Sequence, residues 1–159
     1  MFMVADIMQK DVVTFRPETT LGEAIAVLCD RHMSGAPVVS ADNRIVGVIS
    51  ELALMDVLFD MELKSKELAP YMSTEVHTIN EQSSLTQAVH MFYLYQVRRL
   101  PVVRDDKLVG IVSRRDLLTM CEKLEEPLAA PLQELMPEFV PESDDLPEER
   151  VGTELVDLA

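Results

Sequence analysis

The sequence predicts an α/β protein in which helices and strands are layered together, built as two copies of one β-α-β-β-α unit related by a pseudo-twofold axis. Two observations carry this. First, blocks recur in register. Ala5-Asp6-Ile7-Met8, Val12-Val13-Thr14 and Ala36-Pro37-Val38-Val39 are echoed 64 residues later by Ala69-Pro70-Tyr71-Met72, Val76-His77-Thr78 and Leu100-Pro101-Val102-Val103. A fourth block, Ile45-Val46-Gly47-Val48-Ile49-Ser50, returns after 63 residues as Leu108-Val109-Gly110-Ile111-Val112-Ser113, so the preceding loop is one residue shorter in the second copy. Second, 48% of the 159 residues are hydrophobic, drawn from aliphatics and ten Met rather than aromatics. That is enough to bury a core and excludes a mainly disordered or fibrous chain.

The elements follow in order within each copy. Residues 12–15 and 76–79 are short, β-branched strand candidates. Thr20-Leu21-Gly22-Glu23 and Ser84-Leu85-Thr86-Gln87 have capping-box spacing, predicting helices over about 21–32 and 85–96. In the first of these, Leu21, Ala24, Ile25 and Leu28 share one face. The Pro-Val-Val segment and the Gly-containing run form a tight strand pair around turn residues 41–44 or 105–107. A second helix is expected at about 51–60 and 114–124. The organisation is therefore repeat one over 1–62, repeat two over 63–124, and an acidic, Pro-rich tail over 125–159.

This order of Asp-Ile-Met, a strand ending in Thr, a helix, (Leu/Ala)-Pro-Val-Val, hydrophobic-Gly-hydrophobic-hydrophobic-Ser and a second helix resembles a CBS domain, the unit named after cystathionine β-synthase. Two in tandem, over about residues 4–124, resemble a Bateman module. The resemblance implies two clefts between the repeats, in which members of the family commonly bind adenosine nucleotides or related ligands and regulate an attached or partner protein.

The sharpest motif is Ser113-Arg114-Arg115-Asp116. The resemblance implies that Asp116 accepts both ribose hydroxyls, and a carboxylate has the acceptor oxygens for a cis-diol. The same four residues also read as a helix N-cap with an acid in the first turn. Repeat one departs from the pattern: Ser50-Glu51-Leu52-Ala53 has Ala53 where the acid would stand, so capping rests on Ser50 alone. By the same resemblance, Arg98 and Arg99, ahead of Leu100 and Pro101, contact phosphate. Arg suits that role because its fork donates parallel hydrogen bonds. Repeat one has Ser34 and Gly35 there. As alternatives, the two Arg are solvent-facing residues at a helix end. The resemblance also implies that Thr78 and the apolar run around Ile111 border the base, while Thr14 reads as an ordinary strand residue. The candidate nucleotide site is thus Thr78, Arg98, Arg99, Leu100, Pro101, Ile111, Ser113 and Asp116, all in repeat two, with AMP, ADP or ATP as the ligand and no required cofactor.

Other chemistry is sparse. Cys29 and His32 lie one helical turn apart but have no second pair, so structural use is expected rather than a metal. His77 neighbours Thr78 and reads either as a cleft-rim residue or, more simply, as a surface or satisfied histidine, and His90 has no partner. No Ser/His/Asp or Cys/His constellation and no phosphate-cradling Gly-rich loop is present, so no catalytic residue is assigned. Cys29 and Cys121 are expected to be reduced, buried thiols in a cytoplasmic protein.

The net charge of −14 is unevenly placed: −10 falls in residues 122–159 and only −4 in the first 121. Residues 98–116, by contrast, carry six basic and three acidic side chains. Nothing suggests nucleic-acid binding, which needs a basic stripe, and no apolar run approaches the roughly 20 residues that span a bilayer. Met91-Phe92-Tyr93-Leu94-Tyr95 and the run Leu52 to Phe59 are apolar on more than one side, which predicts a homodimer through helices of both repeats. In the tail, Leu135-Met136 continues the 64-residue spacing, though coincidence is the simpler reading. Three functions compete: a ligand-sensing regulatory module acting on a partner in trans, a ligand-free interaction and dimerisation module, and an enzyme. The last is disfavoured by the missing constellation.

Overall fold

Each copy starts its first long helix on a side-chain oxygen, in the computed structural model, which describes residues 2–128. Thr20 Oγ1 accepts from the Glu23 N–H at 3.2 Å and the Glu23 carboxylate accepts from the Thr20 N–H at 2.9 Å. Helix α2 (Leu21–Asp30) therefore opens with a full capping box. Helix α3 (Leu85–Tyr95) has one half of it, with Ser84 Oγ accepting from the Gln87 N–H at 3.1 Å. Left-handed residues 64 positions apart follow both helices, His32 at φ 50° just beyond the Arg31 cap of α2 and Gln96 at φ 53° as the cap of α3. The short α1 (Val4–Ile7) precedes them.

The two strand pairs form as antiparallel ladders: β1 (Gly35–Val39) with β2 (Ile45–Ser50), and β4 (Arg99–Arg104) with β5 (Lys107–Ser113). Each ladder slips at the same place, between Val38 and Val39 and between Val102 and Val103. The slip leaves Val46 or Val109 as the extra residue of a bulge. Asp105 and Asp106, both left-handed, make the two-residue turn of the second hairpin.

The strands predicted at 12–15 and 76–79 are shorter than expected. Only Phe15 bridges Val38, and only β3 (Ile79–Asn80) runs parallel to β4. The reason is a crossing. Gln9 is bridged to Ile111 of the other copy and Ser73 to Val48, so the residues between each pair of bridges carry the chain from one sheet edge to the next. The second helices also diverge. Residues Arg114–Cys121 form α4, whereas repeat one has 3-10 turns over Leu52–Leu58 and Met61–Ser65. With Ala53 in place of an acid, only Ser50 Oγ caps, accepting from the Ala53 N–H at 3.3 Å.

The leading segments are exchanged between cores. Val4 is fully buried among Ile79, Ala88, Phe92, Leu100, Val102 and Val112 of repeat two. Leu68 is fully buried among Leu21, Ala24, Leu28, Val38 and Ile49 of repeat one. Their backbones are held equivalently, Val4 N–H donating to Ser83 at 2.9 Å and Leu68 N–H to Thr19 at 2.8 Å. The repeated glycine permits this. A Cβ on Gly110 would lie 2.6 Å from Met8 Sδ and 2.9 Å from the Gln9 carbonyl oxygen. On Gly47 it would lie 2.6 Å from Met72 Sδ and 2.8 Å from the Ser73 oxygen. The hairpins also meet: Asn43 Nδ2 donates to the Leu108 carbonyl at 2.8 Å and the Leu108 N–H returns to Asn43 at 3.0 Å.

The thiols depart from expectation, since Cys29 and Cys121 are both exposed. Each sits on the outer face of a helix whose inner face already fills the core with Leu28 or Met120. Most of the acidic tail, with the Leu135-Met136 echo, lies outside the described residues.

Candidate functional site

Four backbone segments lie side by side at the repeat-two site. In the β4–β5 ladder Arg99 is opposite Ser113 and Pro101 opposite Ile111. The parallel pairing of Ile79 with Val102 sets Thr78 level with Pro101. On the far side, Gln9 and Ile111 exchange N–H···O bonds of 2.8 and 2.9 Å. Thr78, Pro101, Ile111 and Gln9 thus form a row across the sheet, with Arg99 and Ser113 one step along it.

Side-chain burial sorts the candidates. Leu100 is fully buried in the second core, so it offers a ligand only its backbone. Pro101 is also buried, Thr78 and Ile111 are half-buried, and Arg98 and Arg99 are exposed. Among the described residues neither of these guanidiniums has a hydrogen-bond or ion-pair partner. Arg114 differs: its Nε donates to the Val97 carbonyl at 2.8 Å and its N–H to the Arg98 carbonyl at 3.3 Å. These bonds fix the start of α4 against the entry to β4.

Asp116 is engaged on both oxygens. Oδ2 accepts from the Ser113 N–H at 2.7 Å and the Ser113 hydroxyl at 2.6 Å, while Ser113 Oγ accepts from the Asp116 N–H at 3.2 Å. This is the capping box. Oδ1 accepts from Gln9 Nε2 at 3.0 Å. Sequence reasoning missed Gln9, and no local signal marks it: it follows the repeated Met8, and its counterpart in the other copy is Ser73.

Two further features belong to repeat two alone. The His77 ring stacks on Tyr95 with centroids 3.6 Å apart and planes 12° apart, joining the segments that carry Thr78 and the Arg pair. Arg104 makes a two-pronged salt bridge to the buried Glu81, Nη2 lying 2.7 Å from Oε2. The guanidinium's hydrogen bonds hold the Glu81 carboxyl below the usual carboxylate range, and Glu81 in turn raises Arg104.

Apolar grooves lie elsewhere, on the helical faces. One of 610 Å³ is lined by Ile25, Cys29, Met55, Leu58 and Met61 among others, and one of 320 Å³ by Val89, Phe92, Tyr93, Leu117 and Leu118. Their linings correspond across the repeat. No group of His, Cys, Asp and Glu among the described residues is arranged to hold a metal. No described helix is long and apolar enough to cross a membrane.

The CBS domain family model matches residues 4–60 and 66–123, the two copies described above. This chain belongs to the CBS domain family. Its tandem CBS units make it a Bateman-type pair, and its mixed helix and strand content in small sheets agrees with solved CBS-pair structures. CBSX2 in complex with AMP, a protein of Arabidopsis thaliana, is 23% identical with a TM-score of 0.70, covering 79% of this chain and 100% of that one. The CBS domain pair of MJ0100, in complex with 5'-methylthioadenosine and S-adenosyl-L-methionine, is 23% identical with a TM-score of 0.65, covering 77% and 98%. Among curated relatives, inosine-5'-monophosphate dehydrogenase of Methanocaldococcus jannaschii is 34% identical over 114 residues, 71% of this chain but 22% of that enzyme. A 17.7 kDa protein of Acidianus ambivalens is 29% identical, covering 72% of this chain and 70% of its own length. The chain spans between 22% and 42% of the first four curated relatives it matches. In an enzyme such as the dehydrogenase the matched region is a minor part of the whole.

Proposed function

We propose that this CBS pair is a ligand-sensing regulatory module that binds one adenosine nucleotide per chain, in the cleft of repeat two, and acts on a partner protein in trans. One observation carries the reading: a carboxylate at a helix start, two guanidiniums without a partner among the described residues, and the strand row of Thr78, Pro101 and Ile111 come together there. Repeat one has Ala53, Ser34 and Gly35 at the corresponding positions. In this reading Asp116 holds the ribose, Arg98 or Arg99 the phosphate, and Thr78, Pro101 and Ile111 border the base, with Leu100 contributing backbone. The adenosine-type ligands of CBSX2 and MJ0100 support the class of ligand.

The grooves support a second component, homodimerisation through the helical faces. Leu52, Leu58, Phe59 and Leu118 are 69–91% exposed, and an apolar surface of this kind is ordinarily covered. Light scattering at micromolar concentration should return a dimer mass, and a monomer would end this component. A ligand-free dimerisation module is the competing reading, favoured by the capping bonds that already engage Asp116.

A thermal-shift panel of AMP, ADP, ATP, GTP, NAD and S-adenosylmethionine separates the two. Ligand at about 100 times its Kd stabilises by roughly 2.7 kcal/mol. By titration calorimetry, Asp116→Ala should then weaken binding roughly 10–150-fold, since hydrogen bonds to an ionised group are lost. Arg99→Ala should weaken ATP and AMP but spare adenosine. Unchanged affinity in Asp116→Ala, or two equal sites per chain, would remove the assignment.

A further inference from the structure

Asp116 has fewer free acceptor sites than a ribose requires. A carboxylate offers about four lone-pair directions. Oδ2 accepts two donors, the Ser113 N–H at 2.7 Å and the Ser113 hydroxyl at 2.6 Å, and Oδ1 accepts Gln9 Nε2 at 3.0 Å. One direction is left, on Oδ1, while a cis-diol presents two donors. One resident donor must leave. The Ser113 N–H is held by the turn that starts α4, and the Ser113 hydroxyl oxygen also accepts the Asp116 N–H at 3.2 Å. Breaking the first would loosen the helix start, and turning the hydroxyl proton away would leave the lone pairs of two oxygens facing each other at 2.6 Å. Gln9 has no such constraint. Its side chain is exposed, and its backbone is anchored independently by the paired bonds to Ile111. The carboxamide can swing away while the strand row stays intact.

We propose that Gln9 is a specificity-determining residue of this cleft, its carboxamide an internal competitor for the acceptor that the second ribose hydroxyl needs. The inference rests on the nucleotide reading above and names a regulator of that same site. Gln9 comes from the leading segment of repeat one, so the occupancy of the repeat-two cleft is read by a side chain of the other copy. A ligand with one hydroxyl fits the remaining acceptor without moving Gln9. A ligand with two does not.

The test compares ATP with 2′-deoxyATP by titration calorimetry on the full chain, in the parent, Gln9→Met and Gln9→Ala. Met keeps the length and the backbone bridge to Ile111 but has no donor. Both variants should bind ATP about 3–10-fold more tightly, the scale of one hydrogen bond released. They should bind 2′-deoxyATP within about twofold of the parent, so that discrimination between the two sugars rises. If both nucleotides shift together, or if neither shifts, Gln9 is a general contact or a bystander and the proposal is overturned while the nucleotide site stands. If neither nucleotide binds the parent or the variants at millimolar concentration, the nucleotide reading itself falls and takes this proposal with it.

Discussion

Repeat one and repeat two share a scaffold but not a chemistry. Each has a helix capped by a hydroxyl, a bulged hairpin and a glycine under the other copy's methionine. Yet Ala53 stands in repeat one where repeat two has Asp116, Ser34 and Gly35 where it has Arg98 and Arg99, and Pro17 and Ser40 where it has the Glu81–Arg104 pair. Duplication preserves what packing needs, because a wrong volume costs stability in either copy. It leaves positions outside the two apolar cores free to diverge.

The largest effects should be shared by both halves. Leu68→Ala empties a fully buried site in the first core and should cost about 2–5 kcal/mol in urea unfolding. Val4→Ala, its counterpart in the second core, removes a smaller side chain and should cost less. A negligible loss at either position would mean that the exchanged segments do not hold the cores.

Next are the crossing glycines. Gly47→Ala and Gly110→Ala each place a methyl group against a methionine sulfur and a carbonyl oxygen, and each should cost roughly 1–3 kcal/mol. The comparison sharpens in the binding assay, since only Gly110→Ala displaces the Met8-Gln9 segment from β5. It should weaken any nucleotide bound in repeat two, and Gly47→Ala should not.

Smaller is the effect of giving repeat one the missing acid. Ala53→Asp places a carboxylate in the first turn after Ser50 and should stabilise by about 0.3–1 kcal/mol. It should not create a second nucleotide site, because Ser34 and Gly35 still stand where the Arg pair would be. A stoichiometry of two per chain would break the asymmetry.

The smallest difference is the pH effect that Glu81 carries in repeat two. The folded-state pKa of Glu81 is lowered, chiefly by the Arg104 hydrogen bonds. Its contribution is therefore fully present above the unfolded carboxyl range and lost as pH falls through the lowered folded value. Melting of the parent against Glu81→Gln should show a parent advantage at neutral pH that disappears on acidification. A constant gap would assign the difference to packing.

How much of this was legible in the chain follows from the range over which each signal acts. Thr20 with Glu23, and Ser113 with Asp116, lie within one helical turn of each other, so the capping boxes are local facts. So are the hairpin turn at Asp105-Asp106 and the contrast between Ala53 and Asp116. The repeat itself is a property of the sequence alone. Boundaries were less legible: a β-branched run such as 12–15 has strand propensity, but a strand exists only where a partner is in reach, and there only Phe15 has one.

What the tertiary structure alone decided is which core each leading segment joins, and what that brings to the site. Val4 and Leu68 are both apolar residues just ahead of equivalent motifs, and either core offers a place for one. Helical and strand periodicities state which face is apolar, not which of two related hollows it fills. The exchange is selected by packing over long sequence separations, with Gly47 and Gly110 giving the crossing backbones room. From that exchange, and from nothing local, comes the amide of Gln9 on the carboxylate of Asp116, 107 residues away.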